Sequence, residues 1–199
     1  MKLKLLVVGA AVLGLLAATP PQDKKTGGGD PMAMFSGAAK YLKPGPNHEW
    51  LAQFIGEWDS TLRMTMGPGM PPMESHGTST VRWLMEGRWL IREGEIQMMG
   101  MPVHNVTLMG YDNFKQKYVS TTVDSFQTCI QPSEGFRDQA GTSLHLYGPL
   151  DEYLTGENDK PVRYTWRVIS PDKHVLELHD LAIGLENTKV VEVEFNRKK

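Results

Sequence analysis

The sequence predicts an all-β protein, an antiparallel up-and-down β-barrel of about ten strands with a short N-terminal helix. Three observations carry this. From Trp58 onward side chains alternate with a period of two. Turn signals recur about every 8–14 residues. Helical spacing is almost absent after residue 56. Short antiparallel strands joined by tight turns give a meander, and a twisted sheet that wide curls on itself. Closure removes the edges that invite aggregation, which favours a barrel over a two-sheet sandwich, although spacing alone fits either.

The first residues read as an address. Lys2 and Lys4 precede an uncharged apolar stretch, Leu5–Ala18, that ends in small residues before Thr19-Pro20-Pro21. This is the pattern of a secretory signal, 1–18, and the stretch is short for a membrane span. A periplasmic or secreted protein is expected. No Cys follows the apolar run, so no lipoprotein anchor is indicated. Residues 19–46, rich in Gly and Pro, read as a tether in which Ala33–Leu42 has room for a short helix that Pro44 and Pro46 would stop. The barrel domain is assigned to 47–199.

Asn47 is the expected N-cap of a helix carrying Trp50, Leu51, Phe54 and Ile55 on one face, ended by Gly56. Strands are then expected over Trp58–Met66, Thr78–Met85, Arg88–Gln97, Val103–Tyr111, Tyr118–Asp124, Gln127–Phe136, Thr142–Tyr147, Val162–Ile169, His174–Ile183 and Lys189–Phe195. Glu86-Gly87 suits a tight hairpin, and Asp112-Asn113 and Pro171-Asp172 suit turns.

Composition narrows the function classes. Of 199 residues, 21 are Lys or Arg and 23 are Asp or Glu, a charge of −2. Without Lys2 and Lys4, 19 basic residues face 23 acidic ones, a charge of −4. That balance argues against a nucleic acid partner and, once the signal is removed, against a membrane partner held by charge. Cys129 is the only cysteine, so no internal disulfide forms, and burial is expected for it.

The barrel's ends are expected to meet. Gly56-Glu57-Trp58 opens the first strand, and Arg197 shares the parity of Val191, Val193 and Phe195 in the last. A guanidinium of Arg197 on the indole of Trp58 would seal the seam as a structural contact.

An ordered set of motifs runs through the domain. They are Phe54-Ile55-Gly56-Glu57-Trp58, Gly67-Pro68 with Glu74-Ser75-His76-Gly77, Arg82-Trp83-Leu84-Met85-Glu86-Gly87-Arg88-Trp89-Leu90, and Met98-Met99-Gly100-Met101-Pro102 with Gly110-Tyr111-Asp112-Asn113. Lys117–Ser125 and Glu192–Lys198 complete the set, from about His48 to Lys198. Together these motifs resemble the DUF1579 family, calycin-like, lipocalin-like barrels of unknown function, and the resemblance implies the barrel but no reaction, ligand or catalytic residue. His104 departs from the family pattern, which bears on ligand preference if it lines the cavity.

A barrel of this size can hold a small ligand. Candidate lining residues, one parity per strand, are Arg82, Trp89, Val106, Tyr118, Thr122, Tyr164, Trp166 and Leu178, or they fill a dry core. Arg82 stands out, because a charge inside a strand needs a partner, a ligand anion or solvent. Twelve methionines, including Met64, Met66, Met70, Met73, Met98, Met99 and Met101, suit an adaptable apolar rim better than a Cu(I) site. The six histidines form no short metal signature, so no metal or other cofactor is expected. Asp124-Ser125 lacks a Gly-x-Ser-x-Gly elbow, and Glu177 and Asp180 have opposite parity, which makes them a poor acid–base pair. The expectation is an exported barrel binding a small apolar or amphipathic molecule. An enzyme acting on a lipid-like substrate in the same cavity, and a structural protein with a filled core, are the alternatives. Oligomeric state is left open.

Overall fold

The computed structural model describes residues 31–65, 67, 69–153, 155–181 and 188–199. The segment read as a signal, Met1–Ala18, lies outside them. The chain divides into two compact units, Met1–Ala38 and Ala39–Lys199. Helix α1 spans Pro31–Leu42, so the second part of the expected tether is helical.

Helix α2 is Pro46–Leu51, followed by a single 3-10 turn, Ala52–Phe54. Its N-cap is Gly45, not Asn47: proline occupies the first helical position, and Gly45 N–H donates to His48 Nδ1 at 3.1 Å. Asn47 instead accepts from the Tyr118 hydroxyl at 3.4 Å.

Ten strands follow: β1 Gly56–Met64, β2 Met73–Met85, β3 Trp89–Met98, β4 Met101–Asp112, β5 Lys117–Asp124, β6 Gln131–Arg137, β7 Ser143–Glu152, β8 Glu157–Ser170, β9 Lys173–Asp180 and β10 Thr188–Arg197. Each pairs antiparallel with its sequence neighbours, and β1 pairs with β10 to close the barrel. Most strands are longer than period-two alternation alone suggests, because the ladders run on through Gly, Pro and charged residues near the hairpin tips.

Directly opposed residues share a face, so the ladders fix which side chains point inward. Trp58, Ser60 and Leu62 on β1 are buried while Glu57 and Asp59 are exposed. Their partners Ser79, Gly77 and Ser75 on β2 therefore face in. Gly135 on β6 is also inward; a Cβ there would lie 1.9 Å from the His145 carbonyl oxygen, so glycine lets β6 and β7 approach.

One end is plugged. Leu51 and Phe54, from α2 and the turn after it, join Trp58, Tyr118, Leu144, Leu146, Trp166 and Phe195 in a single buried core. The aromatic rings meet mostly edge to face, with Trp50 5.5 Å from Tyr118 and Phe54 5.7 Å from Trp166. At the other end Met64, Met73, Met98 and Leu178 point inward and are only partly buried.

The seam is held by Arg197, directly opposite Trp58. Its Cζ lies 4.1 Å from the centre of the Trp58 ring. Nη1 donates to the Ile55 carbonyl at 2.7 Å, Nη2 to that of Gln53 at 3.2 Å, and Nε to that of Pro171 at 3.0 Å. Trp58 Nε1 donates to the Phe54 carbonyl at 2.9 Å. One guanidinium thus ties the plug, the β8–β9 turn and both seam strands. Arg197→Ala should cost about 2 kcal/mol in urea unfolding, since three carbonyls lose a charged donor at a partly solvated rim. Arg197→Lys should recover little, because an ammonium cannot span the three acceptors. A loss under about 0.5 kcal/mol in Arg197→Ala would refute the clasp.

Candidate functional site

The inner wall of the barrel is divided. On β1 and β8–β10 it is mainly apolar: Leu62, Trp166, Leu176, Leu178, Val191 and Val193 face in. On β2–β6 it is polar along two adjoining rows. Ser79, Gly94, Asn105 and Asp124 oppose one another in one row. Val81, Arg92, Thr107, Thr122 and Gln131 form the next.

Arg92 is the centre of this wall. It sits deep in the barrel, where loss of hydration lowers its pKa to about 10, so it is still protonated at neutral pH. One Nη2 proton goes to Thr107 Oγ1 at 3.1 Å, and Thr107 in turn shares a hydrogen bond with Thr122 at 2.9 Å. Nε is cut off from solvent and has no hydrogen-bond partner. No carboxylate among the described residues forms an ion pair with this guanidinium. The rings of Phe195 and Trp166 lie 5.7 and 6.0 Å away, a weak substitute for a counter-ion.

Three more inward atoms are buried without a partner: Ser79 Oγ, Asn105 Oδ1 and the Tyr164 hydroxyl. Burial raises the Tyr164 pKa to about 12, which keeps its proton on. Gly94 makes room for the group. A Cβ there would meet Asn105 Oδ1 at 3.0 Å and Arg92 Nη1 at 3.2 Å. Such clusters are costly, at about 1–3 kcal/mol for each buried polar group left unmet, and call for water or a ligand.

Below Arg92, toward the plug, the barrel is filled. A void of about 20 Å³ remains, lined by Arg92, Thr107, Met109, Trp166 and His174 among others, with room for one water. His174 is stacked on Phe195 at 4.5 Å and set edge-on to Trp58 at 4.3 Å. Burial, with Arg92 and Arg197 on either side, lowers its pKa to about 3, so it is neutral. Above Arg92 the inward residues Asn105, Thr122, Tyr164, Leu176 and Leu178 are partly buried, while Ile96, Val103, Val162 and Asp180 are buried.

The eight residues expected to line the cavity divide accordingly. Tyr118, Thr122, Tyr164, Trp166 and Leu178 face inward. Arg82, Trp89 and Val106 do not. Arg82 is on the outer face, paired with Glu93 at 3.1 Å, because odd positions face inward on β2. Trp89 lies outside over Gly110, where a Cβ would come within 2.4 Å of its ring. Val106 opposes Glu93 and Val123 on the outer face. His104 also points out, 3.3 Å from Glu95. The methionines Met64, Met73 and Met98 face the open end, and Met70, Met99 and Met101 are exposed there. Met66 lies outside the described residues. Cys129 is half-buried, its Sγ 3.7 Å from the Tyr153 hydroxyl.

Sequence reasoning missed Arg92, Ser79, Asn105 and His174. The signal was Leu90-x-Arg92-x-Gly94-x-Ile96, one charge inside an alternating apolar row. Asp124 and Ser125 are occupied locally: the carboxylate accepts from Phe126 N–H, Gln127 N–H and Gln127 Nε2, and Ser125 Oγ accepts from His104 N–H. Glu177 faces out toward Arg167 at 2.8 Å, and Asp180 is buried against Lys160 at 2.6 Å. Among the described residues no group of three or more His, Cys, Asp or Glu is placed to hold a metal ion.

The model of a protein family of unknown function, DUF1579, matches residues 43–197. The chain belongs to the DUF1579 family. No curated protein matches this DUF1579 chain in sequence. Its barrel is similar to the crystal structure of Rv2717c from M. tuberculosis, at 13% identity over 79% of this chain and 100% of that one, with a TM-score of 0.59. The redesigned β-barrel b11L5F_LGL aligns at 12% identity over 74% of this chain and 94% of its own, TM-score 0.38. EF1p2_mFAP2b bound to DFHBI aligns at 11% identity over 76% and 99%, TM-score 0.40. At such identities the likeness to Rv2717c speaks to the fold alone.

Proposed function

We propose that this DUF1579 barrel is an exported binding protein that takes a small amphipathic molecule through its open end. The supporting observation is the two-sided inner wall: mainly apolar on β8–β10 and β1, and polar along two rows of β2–β6, where three buried polar atoms are unmatched, with a fourth, the Tyr164 hydroxyl, on β8. An amphipathic guest satisfies both sides at once. Water alone would meet the polar side and leave the apolar one wetted.

A neutral solvatochromic dye, Nile red, tests this. Saturable one-to-one uptake is expected, and Leu178→Trp, which fills the open half, should weaken it at least tenfold. No saturable uptake, or uptake indifferent to Leu178→Trp, refutes the reading. The 20 Å³ void favours a second reading, a structural barrel with a filled core. That reading predicts no dye uptake, and no retained small molecule when protein from its source is examined by native mass spectrometry.

A further inference from the structure

The unmatched atoms say more about the guest than that it is amphipathic. Arg92 Nε can only donate a hydrogen bond, and the hydroxyls of Ser79 and Tyr164 carry protons they give to no acceptor. Asn105 can turn its amide to present either end. The site therefore has a surplus of donors. Arg92 also lacks an ion pair: the inward Lys160 is matched by Asp180 at 2.6 Å, and the inward carboxylate of Asp124 is held by the amides of Phe126 and Gln127. A buried cation without a counter-ion is costly, and the fold has not neutralised it with a carboxylate of its own.

We infer that the polar end of the guest is a single carboxylate, seated against the Arg92 guanidinium with Ser79 and Asn105 in the adjoining row of the polar wall, and that its apolar body runs along Leu176, Leu178 and Val191. This rests on the amphipathic-guest reading above and names the guest's chemistry. The planar fork of arginine matches two carboxylate oxygens. Arg92 lies six residues from Met98 at the open end of β3, roughly 20 Å of strand.

A matched pair of probes separates the claims: dodecanoate and dodecanol, titrated calorimetrically into wild type, Arg92→Met and Arg92→Lys. In wild type dodecanoate should bind at least tenfold more tightly than dodecanol. Arg92→Met should erase that difference, and Arg92→Lys should retain part of it. If wild type binds dodecanol but prefers dodecanoate by less than twofold, the carboxylate seat is wrong and the amphipathic-guest reading stands. If Arg92→Met keeps the full preference, the anion sits elsewhere and this inference fails. If wild type takes neither probe, both readings fall. The wild-type comparison needs no variant, so it decides the matter even if a substitution disturbs folding.

Discussion

Arg92→Met is expected to make the protein more stable. A guanidinium without a counter-ion pays for its lost hydration, and the rings of Phe195 and Trp166 at 5.7 and 6.0 Å return little of it. Methionine fills a similar volume with apolar atoms. Its sulfur adapts to the Trp166 face, and the substitution leaves no orphan, because Thr107 keeps its bond to Thr122. Replacing buried ions with apolar groups of like size often gains about 1–4 kcal/mol. For a barrel of this size that is a rise in melting temperature of roughly 2–4 °C per kcal/mol. The measurement is a thermal melt of the ligand-free variant beside wild type. A fall of several degrees would mean that the charge supports the fold, and the case for keeping it for a guest would be lost. Stability given up at one position is the usual mark of a group held for binding.

The second large effect is at His174 and depends on pH. In the unfolded chain this ring titrates near 6.5; in the fold it is held to about 3. Between those values the unfolded chain carries the extra proton. The contribution is therefore complete above about pH 6.5 and is lost steadily as pH falls toward 3. At 1.36 kcal/mol per pH unit, the loss between pH 7 and pH 4 is about 3 kcal/mol. His174→Phe keeps the stack on Phe195 and removes the proton site. Carboxylates such as Glu194, whose pKa is lowered by hydrogen bonds from Asn196 and Lys173, titrate equally in both proteins and cancel in the difference. Urea unfolding at pH 7, 5.5 and 4 should show the gap between variant and wild type widening by that amount. Parallel pH profiles would show that His174 is protonated in the fold.

The number of strands and the closure of the sheet are legible in the sequence because alternation and turn residues are local. The face each strand turns inward is not local. Trp83 opposes Leu90, so odd positions of β2 and even positions of β3 line the interior. Arg82 and Arg92 are both even and fall on opposite faces. Hydrophobicity does not separate the faces of β3, because Trp89 and Ile91, on the outside, are as apolar as Leu90 and Ile96 within. On β4 the pattern is inverted, with Asn105 and Thr107 inside and Val106 outside. Sequence reading places apolar side chains in the core, and it fails where the interior wall is polar. On β8 the rule holds, because Val162, Tyr164, Trp166 and Val168 alternate with Arg163, Thr165 and Arg167, and its inward face was legible.

The pairing of β1 with β10 has a further consequence. The backbone carbonyls of Tyr41 and Lys43 are bound by Asn113 in the β4–β5 turn, and Lys198 N–H donates to the Glu57 carbonyl beside the seam. Both termini of the Ala39–Lys199 unit thus leave from the plugged rim. A linker across that rim would make the chain a loop, and a cut at Gly100 would give it new ends at the opposite mouth without severing any ladder. The finished cylinder depends on which strands are neighbours. It does not depend on where along the cycle translation happens to start.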